Sequence, residues 1–357
     1  MSGAGRRFAS VDALRGLTVA AMLLVNNPGD WGHVYAPLQH AAWNGCTPTD
    51  LVFPFFLFIV GVSIALGLVP KREAAAATAA LDRDVLVRAL RIVGLGLGLH
   101  LCAWLLLDLA HFRPWGVLQR IGLCFLAAGL AAIHLRAVGQ WACAAALLAG
   151  YALLLAATGG TAPFDNIVDR VDAALLGPHL YVFDAASGRG HDPEGLLSTL
   201  PAIATTLLGV RAGAWLRAGR WRALLTFAPV ALAAGWAWSL VLPFNKNLWT
   251  SSYALWTAGW AATALLAAHV LIDRRGWPAL GRSFGINAIA AYAGSALMLY
   301  VLTAPGWWEA AYRRGIASWL APVAGPEAAS LAFALAVVAL WWAIVALMAR
   351  RGIVIRI

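Results

Sequence analysis

The chain has 357 residues and a net charge of +10, yet 62% of it is hydrophobic and only 12% is charged, with a mean hydropathy of +0.75. Soluble domains carry roughly a quarter charged residues, so this balance excludes an ordinary soluble protein and predicts an all-α, polytopic membrane protein. The positive charge forms no basic stripe interleaved with aromatics, so no nucleic-acid partner is expected; the arginines punctuate apolar segments instead.

About ten apolar stretches approach the roughly 20 residues that a bilayer core requires. They run near 12–30, 48–69, 84–107, 116–136, 139–157, 195–216, 222–242, 252–272, 283–302 and 327–349, and predict ten transmembrane helices in a single domain over 1–357. Arg6 and Arg7 ahead of Leu17 to Val25 could pass for a signal peptide, but no small-residue cleavage pattern follows. Asn26-Asn27-Pro28-Gly29 reads as a helix end, so the first span is expected to be retained. The 18 tryptophans suit two interfacial belts. Cys46, Cys102, Cys124 and Cys143 fit no metal-ligand spacing, and no metal is expected.

Orientation follows from the basic residues. With the N-terminus inside, most of them fall at cytoplasmic ends, Arg6, Arg7, Lys71, Arg72, Arg350 and Arg356 among them. Few fall outside: Arg113, Arg170, Arg189, Lys246, Arg313 and Arg314. Both termini are therefore expected in the cytoplasm. The insert 158–194, the loop 243–249 and the connection 303–326 are expected outside. The insert is acidic and should attract a cation, unless it is a merely solvated loop.

Along the chain, Arg15 sits at the cytoplasmic end of the first span. His40 and Asp50 stand ten residues apart at the outer side, just before the apolar run Leu51 to Gly61. Ionisable groups at such a boundary are functional candidates, the alternative being an interfacial histidine satisfied within a loop. Arg88 and Arg91 are three apart and share one helix face at the inner end. With Arg15 they make a cluster whose guanidinium forks match phosphate oxygens, or which snorkel to lipid headgroups. Gly94, Gly96 and Gly98 in the third span would allow close backbone approach. Arg120, inside the fourth span, should face a polar cavity or pair with Asp50 or Asp108. His100 reads as a hydrogen-bonded packing residue.

These landmarks together resemble the transmembrane N-acetyltransferases related to heparan-α-glucosaminide N-acetyltransferase. The resemblance rests on Ser10-Val11-Asp12-Ala13-Leu14-Arg15-Gly16, Val25-Asn26, His40-Ala41-Ala42-Trp43-Asn44-Gly45 and Thr49-Asp50-Leu51-Val52-Phe53-Pro54. It continues through Gly116-Val117-Leu118-Gln119-Arg120, Asp192-Pro193-Glu194-Gly195, Asn245-Lys246-Asn247-Leu248-Trp249 and Phe284-Gly285-Ile286-Asn287-Ala288-Ile289. It implies acetyl transfer from cytosolic acetyl-CoA to the amine of an amino sugar on the periplasmic side of a bacterial inner membrane, and a possible homodimer. The family's histidine matches His40, and the asparagine beside it matches Asn26. The segment Pro28 to Gln39 looks longer than in the animal enzyme. No large domain precedes the first span, so a mono- or small oligosaccharide acceptor is expected.

The chemistry needs a base for the amine proton and donors for the oxyanion. His40 is expected as base, or as an acetyl-carrying nucleophile, and Asp50 as the group that fixes its tautomer. Asn26, Asn27 or the Trp43 indole N–H are candidate oxyanion donors. Arg15, Arg88, Arg91, Arg120 and Asn287 are the expected acetyl-CoA contacts. Trp43, Asn44, Asp192, Glu194, Asn245, Lys246 and Asn247 are the expected acceptor contacts, with a carboxylate among them holding the sugar's ammonium form. A nucleotide at the inner face cannot reach an outer His40 across about 30 Å of hydrocarbon. Either the helices enclose a deep funnel or His40 dips below the surface. The rival readings are an amino-sugar or lipid transporter, and an acyltransferase acting on a lipid or peptidoglycan amine. The first would show inverted repeats with broken helices, and no repeat is visible.

Overall fold

The structure is a computed structural model describing residues 8–74 and 77–355. Arg6, Arg7 and Arg356, counted above for orientation, lie outside the described residues.

The chain is a bundle of helices. In order they are α1 (Ala9–Asn26), α2 (Val52–Gly67), α3 (Val69–Glu73), α4 (Thr78–Leu106), α5 (Val117–His134), α6 (Ala137–Ala157), α7 (Ile167–Leu176) and α8 (Thr199–Arg217). Then follow α9 (Ala223–Ser239), α10 (Ser251–Ala268), α11 (Arg282–Ile286), α12 (Ala288–Thr303), α13 (Trp307–Tyr312), α14 (Ser318–Ala324) and α15 (Pro326–Arg350). Among the described residues, seven helices are long and apolar enough to cross a membrane, or up to eight if the bent pair from Ala288 to Ala324 is one span. That pair bends by 95° between Thr303 and Trp307. Helix α9 is apolar but shorter.

Local sequence explains the boundaries. Helix α1 stops at Asn26 rather than 30 because Pro28 disfavours helical backbone at Asn27, which leaves the α region (φ −131°, ψ 47°). Helix α2 follows a 3₁₀ turn at Thr49–Leu51, and Pro54 falls in its first turn, where the missing N–H has no intrahelical acceptor anyway. The stretch predicted as one helix over 283–302 is broken at Asn287, which ends α11 and begins α12.

The most extensive helix contact is α2 against α8, and it is made by glycines. A Cβ at Gly61 would lie 1.9 Å from Thr206 O, and one at Gly209 would lie 2.0 Å from Phe58 O. Backbones meet because neither position carries a side chain, the packing that membranes favour. The third-span glycines do this only in part. Gly96 meets Gln119 and Leu118, while Gly94 and Gly98 have nothing within 4 Å, so the expected trio reduces to one.

The insert 158–194 is folded. Helix α7, capped by the Asn166 side chain on Asp169 N, packs beside a two-stranded antiparallel hairpin, Val182–Asp184 (β1) with Arg189–His191 (β2). Its acidic residues are used internally. Asp169 accepts from Phe164 N and Asn166 and meets His191 at 2.6 Å, and Asp184 accepts from Ala186 N and Ser187. Asp172 accepts from Leu196 N, and burial pushes its carboxyl up to about 7. The expected open cation trap is therefore replaced by a closed subdomain.

Candidate functional site

The segment between α1 and α2 brings His40 onto Asp50. His40 Nδ1 lies 2.6 Å from Asp50 Oδ1. Asp50 is 1% exposed while the His40 side chain is 47% exposed, so the carboxylate is fixed and the imidazole faces out. Asp50 Oδ2 accepts from Ala41 N (3.1 Å), Thr47 N (2.9 Å) and Thr47 Oγ1 (3.1 Å). The two backbone N–H groups hold this oxygen as an acceptor, while the Thr47 hydroxyl, with one proton, is shared with Gln39 O at 2.7 Å; that leaves Oδ1 for a proton on His40 Nδ1. The tautomer is thereby set, and Nε2 carries the free lone pair. Tyr253 Oη donates to Asp50 O and closes the site from beneath.

The loop 243–250 grips this segment. Phe244 O accepts from Gly45 N (2.7 Å), and Asn245 Nδ2 donates to Asn44 Oδ1 (3.1 Å). Asn245 is fully buried, and its Oδ1 also accepts from Leu248 N (2.8 Å). It is a scaffold residue, correcting its expected role as an acceptor contact. The grip places Lys246 Nζ 3.5 Å from His40 Nε2. Burial lowers the Lys246 pKa, an effect that the charges of Glu194 and Asp50 only partly offset. Asn44 is exposed and Asn247 half-buried.

Three further expectations on this side need correction. Trp43 Nε1 donates to Thr161 O (2.8 Å) and its ring lies against Phe164 and His191, so the indole N–H is not available to a thioester oxygen. Asp192 and Glu194 are buried and both grip Arg113, Glu194 Oε2 lying 2.7 Å from the guanidinium. Burial alone would raise the Glu194 pKa, but Arg113, with Lys246 and Arg120, holds it below the usual carboxylate range. The same two acids outweigh the burial of Arg113 and raise its own pKa. Both carboxylates are engaged by Arg113. Arg120 is fully buried and donates to Gly195 O (2.9 Å) and Ser198 Oγ, not to Asp50 or Asp108, with its guanidinium 5.3 Å from the Trp249 ring.

Asn26 is exposed at the end of α1, and its side chain has no hydrogen-bond partner among the described residues. Asn27 is buried and donates to Leu23 O. His100 is hydrogen-bonded to Arg113 O (2.6 Å), as expected of a packing residue.

Toward the other end of α2 lies a cavity of about 950 Å³. Arg15, Lys71, Arg83, Arg88 and Arg91 line it together. Arg15 is held in place by Gly285 O (3.1 Å) and Ser63 Oγ (3.0 Å), and Arg88 lies 4.8 Å from the Phe125 ring centre. The i, i+3 spacing of Arg88 and Arg91 does bring both to one wall, with Lys71 and Arg83 beside them. Arg120 and Asn287 do not line it. Asn287 is fully buried with its amide spent on Ile353 O (3.1 Å) and Ile355 N (3.0 Å), so it pins the segment after α15, and that segment's Val354 and Ile355 form part of the wall.

The cavity and the His40–Asp50 pair lie toward opposite ends of α2, Asp50 standing in the 3₁₀ turn that leads into the helix. Phe56, Val60, Ser63, Ile64 and Gly67 line the cavity over about 16 Å of helix. Asp50 lies six positions beyond Phe56, about 9 Å further along the axis. His40 and Asp50 are not among the lining residues. Phe53 lies between, buried, with its ring edge-on to Trp249, which in turn packs edge-on to Tyr253. Of the two expected arrangements, a funnel open through to His40 is not formed in this structure, because this aromatic layer lies between. Among the described residues no group of three or more His, Cys, Asp or Glu could hold a metal ion.

Chemically, the arrangement offers a base with a fixed tautomer at one end and a cationic cavity of nucleotide size at the other. A model of the catalytic region of heparan-alpha-glucosaminide N-acetyltransferase matches residues 7–241. The heparan-alpha-glucosaminide N-acetyltransferases of Homo sapiens and Mus musculus are 28% and 27% identical over 352 residues, covering 81% of this chain and 52% and 53% of theirs. The chain spans about half the length of these curated relatives.

Proposed function

The chain belongs to the heparan-alpha-glucosaminide N-acetyltransferase catalytic family, and from that premise we propose that it is a transmembrane acetyltransferase. The donor is acetyl-CoA, bound in the cationic cavity, and the acceptor is the amine of a glucosamine-type sugar reaching His40 from the opposite side. The observation that carries this reading is the placement of that cationic cavity and the His40–Asp50 pair toward opposite ends of α2. The excess of Lys and Arg at the cavity end supports a cytoplasmic donor side and an acceptor on the opposite face, which in a bacterial inner membrane would be periplasmic. The ten apolar stretches support ten crossings, with α8 and α9 completing the set.

At the cavity, Arg88, Arg91, Arg83 and Lys71 meet the nucleotide phosphates, and Arg15 supports the wall beside Gly285. The pantetheine arm runs along α2 toward Phe56. Transfer requires the Phe53–Trp249–Tyr253 layer to part, so that the thioester carbonyl can meet the acceptor amine beside His40. His40 Nε2 takes a proton from the amine as nitrogen bonds to the carbonyl carbon, and Asp50 stabilises the imidazolium. Asn26, with its amide uncommitted, donates to the developing oxyanion. Collapse breaks the carbon–sulfur bond, and the imidazolium returns its proton to the CoA thiolate.

The test is purified protein given acetyl-CoA and glucosamine. Wild type forms N-acetylglucosamine and free CoA, whereas His40→Ala binds CoA as wild type does and forms neither product. Full turnover in His40→Ala rejects the assignment. A protein that carries the sugar without consuming acetyl-CoA is a transporter.

A further inference from the structure

Lys246 differs from almost every other cation in the chain. Of 26 basic residues, only Lys71 and Lys246 are lysines. Arginine supplies a fixed charge and cannot act as a nucleophile, whereas a lysine amine can lose its proton and attack a carbonyl. Lys71 lines the cationic cavity, where a charge suffices. Lys246 instead lies 3.5 Å from His40 Nε2, the ring nitrogen that faces away from Asp50. That is the position an acceptor amine must occupy to surrender its proton. The charged groups acting on it are Glu194 and Asp50, which favour its ammonium form, and Arg120 and Arg113, which disfavour it. Burial adds to the second pair, so the neutral amine is more accessible here than on a solvated lysine.

Resting on the acetyl transfer proposed above, we infer that Lys246 is a self-acetylation site, taking the acetyl group when the thioester reaches His40 and no acceptor amine is present. The Lys246 nitrogen bonds to the carbonyl carbon while the carbon–sulfur bond breaks. His40 Nε2 takes the amine proton and passes it to the departing CoA thiolate. The products are Nε-acetyl-lysine and CoA, with no other reactant. The new amide is the same linkage as the sugar product and does not pass its acetyl group on. It fills the space beside His40, so donor consumption stops when acceptor runs out.

The experiment exposes the purified full chain to acetyl-CoA without sugar and maps acetylation by peptide mass spectrometry, with Lys71 as internal control. Acetyl-Lys246 is expected to accumulate well above acetyl-Lys71 and to be suppressed by glucosamine. In His40→Ala and in Asp50→Asn its rate should fall about 10³- to 10⁴-fold, the upper part of the range of a general-base contribution. Equal labelling of Lys71 and Lys246, or undiminished labelling in His40→Ala, would mean spontaneous chemistry and overturn the inference. So would a protein that acetylates glucosamine yet leaves Lys246 unmodified after long exposure to acetyl-CoA alone; the transfer reading would survive that result. A protein that acetylates neither sugar nor lysine refutes both.

Discussion

Replacing Asp50 by asparagine keeps size and removes one acceptor. The surroundings dictate how the new side chain sits. Ala41 N and Thr47 N both donate to Oδ2, so the asparagine carbonyl must take that place. Its NH₂ then faces His40 Nδ1, 2.6 Å away in the native protein. A donor there forces Nδ1 to accept, and the imidazole proton moves to Nε2. The base is then protonated at the one nitrogen that must receive a proton. The inverted tautomer and the lost imidazolium partner together predict a fall in kcat of about 10³- to 10⁴-fold, or about 4–5.5 kcal/mol of transition-state stabilisation. Single-turnover transfer from acetyl-CoA to glucosamine, at saturating donor, measures this. Retention of the two backbone hydrogen bonds predicts little change in thermal midpoint or in CoA affinity. If Asp50→Asn turned over within tenfold of wild type, the tautomer argument would be refuted.

Other expectations follow from the remaining clusters. Arg83→Gln and Arg88→Gln each remove a charged partner for phosphate, worth about 1.5–3 kcal/mol, so KM for acetyl-CoA should rise about ten- to a hundredfold with kcat unchanged. Steady-state kinetics with varied donor checks this, and unchanged KM in both favours lipid headgroups as the arginines' partners. Arg113→Met strands Asp192 and Glu194, both buried, and should cost about 3–5 kcal/mol of stability at neutral pH. The Glu194 pKa is held down in the folded state, so this contribution is present above its unfolded value and lost as pH falls through the folded one; melting of wild type and variant should converge in acid. Asp172 has the opposite sign. Its folded pKa is raised to about 7 from 3.8, so its contribution to stability is fully present below the unfolded value and lost as pH rises toward 7. Asp172→Asn should therefore gain on wild type between pH 4 and pH 8, by up to a few kcal/mol, and a pH-independent difference in thermal midpoint would contradict that sign. Gly61→Val places a side chain where Thr206 O already sits and should prevent α2 and α8 from packing, read as loss of folded protein in detergent.

Apolar length marked the helices, because a bilayer selects for it directly. The pairing of His40 with Asp50 was readable for a local reason, since ten residues bridge one loop and the start of one helix. Arg88 and Arg91 were readable because helical spacing puts i and i+3 on one face. What stayed hidden depends on distant partners. Arg113 passed for a loop charge, and nothing in periodicity shows that it meets Asp192 and Glu194 some 80 positions later. The only available signal was that an isolated loop arginine and two isolated acids each need a partner of opposite charge when buried. Lys71 reads as an orientation marker, although the bundle places it in the cavity wall with Arg83. Asn287 and Asn245 read as ligand contacts because buried amides and binding amides look alike in a sequence; only their hydrogen bonds tell them apart. The aromatic layer at Phe53, Trp249 and Tyr253 joins residues from two distant segments, so no pattern in either announced it.

The central claim is that a thioester entering from the cationic cavity meets an amine arriving at His40 from the other side. Proteoliposomes with a single protein orientation, acetyl-CoA confined to the cavity side and glucosamine to the His40 side, test it most directly. The account predicts N-acetylglucosamine on the His40 side and free CoA on the other, with no leak of either substrate. Product that forms only when donor and acceptor share one compartment would contradict it.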